Sequence, residues 1–393
     1  MSPSRPRVIV GLSGGVDSAV AALLLQEQGY DVQALFMSNW DEDDDDAYCT
    51  SAADYQDARS VANQLGIPLH RVSFAAEYRQ RVFDHFLAEQ RAGRTPNPDV
   101  LCNREIKFGV CLRYAERLGG ELFATGHYAR IGHAPDGPTL MKAFDGSKDQ
   151  SYFLHAVERS QLARVLMPIG ELPKSEVRER ARRAGLPVFD KPDSTGICFI
   201  GERPFRDFLA RFMRDEPGPI ETPEGERLGT HRGLAFYTLG QREGLMIGGQ
   251  RGRDEAPWYV AVKDSARNTL VVVQGHDHAL LSSRALTTAP FHWLVPEPAA
   301  ELRCTVKVRY RQADQLATLI PQADGTASIV FDTAQRAVTP GQYAVVYDGD
   351  RCLGGAVIEQ TASARAVVDR ALTPNEAQAA KATPFAAGEV RDV

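Results

Sequence analysis

Arg7-Val8-Ile9-Val10-Gly11-Leu12-Ser13-Gly14-Gly15-Val16-Asp17-Ser18 is the stretch on which the reading of this chain turns. Arg7 to Leu12 is a short β-branched run, which predicts a strand. Val16 to Gln28 carries apolar residues at helical spacing and stops before Gly29, which predicts a helix. A glycine loop between a strand and a helix aims free backbone N–H groups and the positive helix end at one point, an arrangement that suits phosphate. The loop lacks the Gly-Lys-Ser/Thr ending of a Walker loop and is not G-x-G-x-x-G. A plain strand-to-helix turn needs about one glycine, and it leaves Ser13, Asp17 and Ser18 unexplained.

Working outward, Val32 to Met37 and Leu69 to Phe74 read as strands and Ala52 to Leu65 as a helix closed by Gly66. Glu77 to Gln90 and Arg104 to Leu118 read as helices, with a further strand at Glu121 to Thr125. This alternation predicts right-handed βαβ units, a parallel α/β sheet with helices on both faces. After about Gly201 the pattern changes to a turn-rich unit with strands at Trp258 to Val262 and Thr269 to Gln274. The runs Cys304 to Tyr310, Ala327 to Phe331, Tyr343 to Tyr347 and Cys352 to Ile358 predict a small closed β-barrel. The expected divisions are an α/β domain over 1–204, a central domain over 205–282, a barrel over 283–360 and a mobile tail over 361–393.

A chain of 393 residues exceeds one ordinary core, since domains average about 150 residues. Its 43% apolar and 24% charged residues exclude disordered, collagen-like and coiled-coil classes. No apolar run approaches the roughly 18 to 20 residues of a membrane span, and the N-terminal residues do not read as a secretory leader, so a cytoplasmic protein without a membrane partner is expected. The net charge of −6 argues against coating nucleic acid by bulk electrostatics, though not against a local basic track. The six cysteines include no C-x-x-C pair and no histidine at zinc-finger spacing. Any disulfide in a reducing compartment is then more naturally transient and catalytic than structural.

Cys102 follows Thr95-Pro96-Asn97-Pro98-Asp99-Val100-Leu101, where prolines hold the chain extended ahead of a helix. A thiol near a helix N-terminus gains thiolate character, which matters because an ordinary cysteine of pKa about 8.5 is scarcely ionised at neutral pH. A packed cysteine in a proline-rich turn is an equal reading in isolation. Asp99 reads either as a proton-exchanging group or as a turn residue. Cys198, in Asp193-Ser194-Thr195-Gly196-Ile197-Cys198-Phe199, is in isolation equally readable as a small buried hydrophobe. Cys304 and Cys352 alternate with apolar residues on strands and read as packed thiols, and Cys49 and Cys111 carry no second signal.

The glycine loop resembles the pyrophosphate-binding loop of the ATP-pyrophosphatase superfamily. Together with Thr95 to Phe108, Ala124-Thr125-Gly126-His127-Tyr128, Lys148 to Phe153, Asp193 to Arg203, Thr238 to Arg242 and Arg309 to Gln312, it is similar to the bacterial tRNA-specific 2-thiouridylase family. The resemblance covers residues 7 to about 360 and leaves the tail aside. It implies a HUP-like, Rossmann-like catalytic domain, with Gly11, Leu12, Ser13, Gly14, Gly15, Val16, Asp17 and Ser18 holding ATP phosphates. Met37 and Gly126, at neighbouring strand ends, flank the nucleoside, and Asp17 contacts Mg2+. By the same resemblance Cys198 bears a persulfide, Cys102 is the nucleophile that closes a disulfide with it, and Asp99 is the general acid/base.

The implied substrate is a tRNA with a wobble uridine, from the Lys, Glu and Gln acceptors, and the implied sulfur source is an upstream carrier protein or cysteine desulfurase. Asn97, Pro98 and Asp99 are implied to meet the flipped-out base, and His127, Lys148, Asp149, Gln150, Arg309, Tyr310 and Gln342 to meet the tRNA. Strand alternation adds a basic stripe of Arg303, Lys307, Arg309 and Arg311 on one face of the barrel. Arg178, Arg180, Arg182 and Arg183 read as a solvated helix surface, and the acidic run Asp41 to Asp46 as an exposed loop. Two other readings share parts of this pattern. One is an ATP-pyrophosphatase synthetase or amidotransferase acting on a small metabolite, and the other a nucleotide-sensing RNA-binding module without turnover.

Overall fold

β1 (Arg7–Gly11) is apolar on both faces, and Val8, Ile9 and Val10 are all fully buried. A strand of this kind has to be covered on two sides, as in the middle of a parallel sheet. It pairs in parallel with β2 (Asp31–Ser38) and with β4 (Leu122–Ala124). β3 (Leu69–Ser73) adds beyond β2 and β7 (Val165–Leu166) beyond β4, giving the all-parallel order β3-β2-β1-β4-β7. Val8, Val10, Ala34 and Phe36 face one layer, with α1 (Val16–Glu27), α2 (Ser51–Leu65) and the helix Lys174–Arg183. Ile9 and Leu35 face the other, with helices spanning 75–91 and 98–117. The computed structural model describes residues 5–40, 51–193, 205–247 and 256–362. The acidic run, Cys49, Cys198 and the tail expectation lie outside these residues.

β1 and β4 are neighbours whose connections leave in opposite directions, so a crevice opens between their carboxyl ends. The glycine loop emerges from β1 at this crevice. β5 (Ala129–Ala134) and β6 (Gly137–Lys142), a hairpin not anticipated from the sequence, depart from β4 and pair through Met141 with Arg351. Arg351 belongs to β18 (Arg351–Thr361) of the C-terminal barrel, so the catalytic unit and the barrel share one hydrogen-bonded sheet.

The central unit is a four-stranded sheet of β8 (Gly218–Glu221), β9 (Arg227–His231), β10 (Trp258–Asp264) and β11 (Thr269–Gln274). The barrel has six strands, β12 (Ser282–Thr288), β14 (Leu302–Lys307), β15 (Gln315–Pro321), β16 (Ala327–Arg336), β17 (Tyr343–Asp348) and β18, with the two-residue β13 (His292–Trp293) paired onto β18. Pairing of β12 with both β16 and β18 closes it, around Leu286, Val306, Leu319, Ile329, Val346 and Ile358.

The basic stripe requires correction. The strand ends at Lys307 and a turn follows, so Arg309 and Arg311 do not continue its alternation. Lys307 is only 9% exposed, with its Nζ 3.4 Å from Asp149 Oδ2 and 3.7 Å from Asp314 Oδ1. Arg303 is paired with Asp332 at 2.8 Å. Burial costs a lysine its charge unless a carboxylate is supplied, and here the catalytic unit supplies one.

Candidate active site

Ser13, Gly14 and Gly15 fold into a tight loop because Ser18 turns back on it. Ser18 Oγ accepts from Ser13 N at 3.1 Å and donates to the Gly15 carbonyl at 3.1 Å. Gly14 has φ +79°, and a Cβ there would stand 2.3 Å from the Asp54 carbonyl oxygen. Gly15 caps α1 in an extended conformation without a side-chain partner, leaving the first N–H groups of the helix for a ligand. Gly126, just past β4, packs on the backbone of Asp17 and Ser18. Met37 stands near the carboxyl end of β2.

Cations gather around this loop. Lys174 Nζ lies 2.7 and 2.8 Å from the two Asp17 carboxylate oxygens and 2.8 Å from Asp193 Oδ1. Lys148 Nζ and Arg178 are each 2.8 Å from Asp193. Lys191 Nζ donates to the Gly14 carbonyl at 3.1 Å and to Asp54 and Asp57 at 2.7 and 2.5 Å. Burial works to raise the Asp193 carboxyl, but Lys148 and Lys174 outweigh it and hold it below the usual range. Lys174 and Lys191 thus bring positive charge directly onto the glycine loop, and Lys148 joins them through Asp193. Neither Lys174 nor Lys191 sits in a recognisable local motif, and only the fold brings them to the loop.

Asp99 and Cys102 lie on the helix 98–117. Its start differs from the expected one: Pro98 is the first helical residue, where its missing N–H costs nothing, and the Asn97 side chain caps it by accepting from Asp99 N at 3.2 Å. Cys102 is therefore one turn inside the helix, with its own N–H bonded back to Pro98 and Asp99, and is 1% exposed. The helix-end effect falls off within the first turn, so it favours a ligand at Asn97 to Asp99 more than at the thiol. From Cys102 to Cys111 the helix widens to i→i+5 bonding, a form associated with functional sites.

Burial raises the Asp99 carboxyl, and the charge of Lys107 counters part of that rise. Lys107 Nζ is 3.4 Å from His127 Nε2, whose Nδ1 is 2.8 Å from Thr125 Oγ1. Burial, then Lys107, push His127 well below its ordinary value, so it is neutral at physiological pH. Burial pushes Cys111, Cys304 and Cys352 up to about 12, 11 and 12, as befits packed thiols.

Gly126-His127-Tyr128 joins the two halves of the site. Gly126 presses on Asp17 and Ser18, His127 abuts Lys107, and the Tyr128 hydroxyl donates to Asp17 Oδ1 at 2.8 Å. Gln150 braces this segment, its Oε1 accepting from Tyr128 N at 2.9 Å and its N donating to the Tyr128 carbonyl at 2.7 Å.

Several of the expected RNA-contact residues also have partners inside the protein. Asp149 is 5% exposed, accepting from the backbone of Ala143 and Ser151 and from Lys307. His127 is also buried, and the Gln150 side chain is engaged as described. Gln342 Nε2 donates to the Thr95 carbonyl at 2.8 Å, tying the barrel to the Asn97–Pro98 loop. Arg309 bonds the carbonyls of Leu239 and Ala337, and the ring of Tyr310 rests 4.3 Å from that of Phe153. Lys148 remains partly exposed beside the loop. A surface cleft of about 490 Å³ is lined by Arg211, Arg214 and Arg232 together with Asp215, which pairs with Arg232 at 3.0 Å.

Residues 6–202 match the family described as tRNA methyl transferase HUP domain, residues 206–274 the tRNA methyl transferase PRC-barrel domain, and residues 283–358 the aminomethyltransferase beta-barrel domain. A tRNA-specific 2-thiouridylase MnmA of Burkholderia mallei is 56% identical over 367 residues, covering 92% of this chain and 96% of the relative. The chain belongs to the tRNA-specific 2-thiouridylase family. A 2-thiouridylase of the same name from Vibrio cholerae is 55% identical over 361 residues, 91% of this chain and 97% of its own. The domain descriptions speak of methyl transfer and the 2-thiouridylase relatives of thiolation. Identity across nearly the whole length is the more specific of the two. A solved NMN synthetase from Francisella tularensis overlaps 53% of this chain and 73% of its own at 20% identity and TM-score 0.32, too loose to bear on activity. Among the described residues no helix is long and apolar enough to cross a membrane.

Proposed function

We propose that this chain is an ATP-dependent tRNA uridine 2-sulfurtransferase acting on the wobble position of the Lys, Glu and Gln acceptors. The observation that carries the reading, beside family membership, is the Gly126-His127-Tyr128 bridge, which sets an anion-binding loop against the helix of Asp99 and Cys102. An amide-like carbonyl oxygen is a poor leaving group, so the C2 oxygen first attacks the α-phosphate of ATP and pyrophosphate departs. The loop Gly11 to Ser18, with Lys174 and Lys191, receives that pyrophosphate. Met37 and Gly126 flank the nucleoside, and Asp99 exchanges protons with the base.

Cys198 carries a persulfide delivered by an upstream carrier or desulfurase. Cys102 attacks the Cys198 sulfur, the terminal sulfur leaves with the electron pair and displaces AMP at C2, and a Cys102 to Cys198 disulfide remains. An external thiol then reduces that disulfide. Lys148, Arg309, Tyr310 and Gln342 are proposed at the tRNA surface, and Gln342 also holds Thr95 ahead of the Asn97–Pro98 loop.

Magnesium at Asp17 does not fit this arrangement, because Lys174 engages both carboxylate oxygens and Tyr128 one of them.

The deciding experiment incubates unmodified tRNA with ATP, magnesium and a persulfide source, and reads 2-thiouridine by nucleoside mass spectrometry. Thiolation by wild type and none by Cys198→Ser supports the reading. Thiolation by both removes the persulfide role, and none by a folded, ATP-binding wild type counts against the reaction itself.

A further inference from the structure

Asn103 holds a buried acceptor that its surroundings leave unsatisfied. Its amide nitrogen donates to the Phe153 carbonyl at 3.3 Å, which fixes the orientation of the group, since a carbonyl has to be met by N–H. Oδ1, on the other edge, is sealed from water and has no hydrogen-bond partner among the described residues, and the residue is 3% exposed. Orphaned buried acceptors are rare and unfavourable in folded proteins, so this one asks for a reason.

Its position supplies the reason. Asn103 lies four residues after Asp99 on the same helix, and Cys102 lies three after Asp99. Spacings of three and four bring side chains onto one helical face. Phe153, which receives the amide, packs its ring at a tilt against Tyr310 where the catalytic unit meets the barrel. The unsatisfied oxygen thus belongs to the group of residues assigned above to the target base.

We propose that Asn103 Oδ1 accepts the N3–H of the extruded uracil and so selects uridine as the base to be thiolated. The inference rests on the proposed function. Uracil carries a hydrogen at N3, whereas cytosine presents a lone pair there, which would face the amide oxygen without a proton between them. A site built to pair a polar group rejects an analogue that leaves it unpaired far more strongly than an apolar pocket rejects a misfit. Polarising N3–H also raises electron density on the adjoining C2 oxygen, the atom that must attack phosphorus.

The test uses the full chain with ATP, magnesium and a persulfide source, and two tRNAs that differ only in uridine or 3-methyluridine at the wobble position. AMP release and thiolated nucleoside are both measured. Wild type is expected to favour uridine by at least about tenfold in kcat/KM. Asn103→Ala is expected to lose roughly tenfold or more on uridine with the KM for ATP unchanged, yet to process 3-methyluridine faster than wild type. The methyl group then fits the space the amide vacated, a gain that a merely structural role for Asn103 would not produce. Equal use of both tRNAs by wild type overturns the inference without recourse to any variant. Undiminished preference for uridine in Asn103→Ala, or in Asn103→Ser if the alanine variant does not fold, also overturns it. A wild type that forms AMP with neither tRNA overturns the proposed function, and this inference with it.

Discussion

A Cβ placed on Gly126 would stand 2.6 Å from the backbone nitrogen of Ser18. The end of β4 is thus pressed against the first turn of α1, at the point where the helix offers its free N–H groups. Gly126→Ala has to push the two apart, because the obstructing atoms are backbone and cannot swing aside. AMP formation is expected to fall at least about tenfold, as small displacements of a positioning element carry large kinetic costs. Steady-state AMP release by the folded variant at wild-type rate would show that the contact does not shape the phosphate site.

Lys107, whose Nζ lies 3.4 Å from His127 Nε2, also acts on Asp99: its charge lowers the Asp99 carboxyl against the larger upward effect of burial. Lys107→Met removes the cation and leaves the burial. The Asp99 pKa then rises, and whichever limb of the pH–rate profile reports Asp99 moves to higher pH. A profile of kcat/KM for tRNA that stays in place would detach Asp99 from the rate-determining proton transfer.

Much of the catalytic unit was legible because its signals are local. Three apolar residues in β1, a glycine loop and an apolar-periodic helix specify strand, turn and helix without reference to the rest of the chain. What escaped depends on distant partners. The β5–β6 hairpin carries no strong local signal, and its sheet is extended only through its pairing with β18. Lys307 reads as a solvated barrel residue, and only the carboxylate of Asp149, from another unit, lets it be buried. Lys174 is an ordinary helix-start lysine in sequence, although its ammonium grips Asp17 at the glycine loop. Pro98 was misleading for a different reason. Proline breaks helix interiors but is well suited to the first helical position, so the helix begins earlier than the proline pair suggested.

Gln342 and Gly341 of the barrel clamp the segment that leads into Asn97 to Asp99, the loop proposed to meet the base. Gln342 Nε2 donates to the Thr95 carbonyl, Thr95 N donates to the Pro340 carbonyl at 3.0 Å, and a Cβ on Gly341 would stand 2.8 Å from Thr95 N. Gln342→Ala removes the side-chain half of this clamp and leaves the glycine loop untouched. The expected result is a drop of roughly tenfold in kcat with KM for ATP unchanged, because the loss is one of positioning. Single-turnover thiolation with saturating tRNA distinguishes this from a lost RNA contact, since a pure contact would be restored by saturation.

Lys263 on β10 donates to the Tyr237 carbonyl at 2.9 Å, and burial pushes its amine down to about 7. In the unfolded chain the same amine titrates near its ordinary value of 10.5. Between these two values the unfolded state binds the additional proton, so stability contributed by this residue rises with pH, by up to about 1.4 kcal/mol per unit. Below the folded value both states are protonated and the contribution is flat. Lys263→Met has no proton to lose and is expected to be the more stable protein at pH 7. Its advantage shrinks as the medium is taken to pH 9. Urea unfolding of both proteins at the two pH values checks the sign, and a wild type that gains no more than the variant between them would mean that the amine keeps its charge in the folded state.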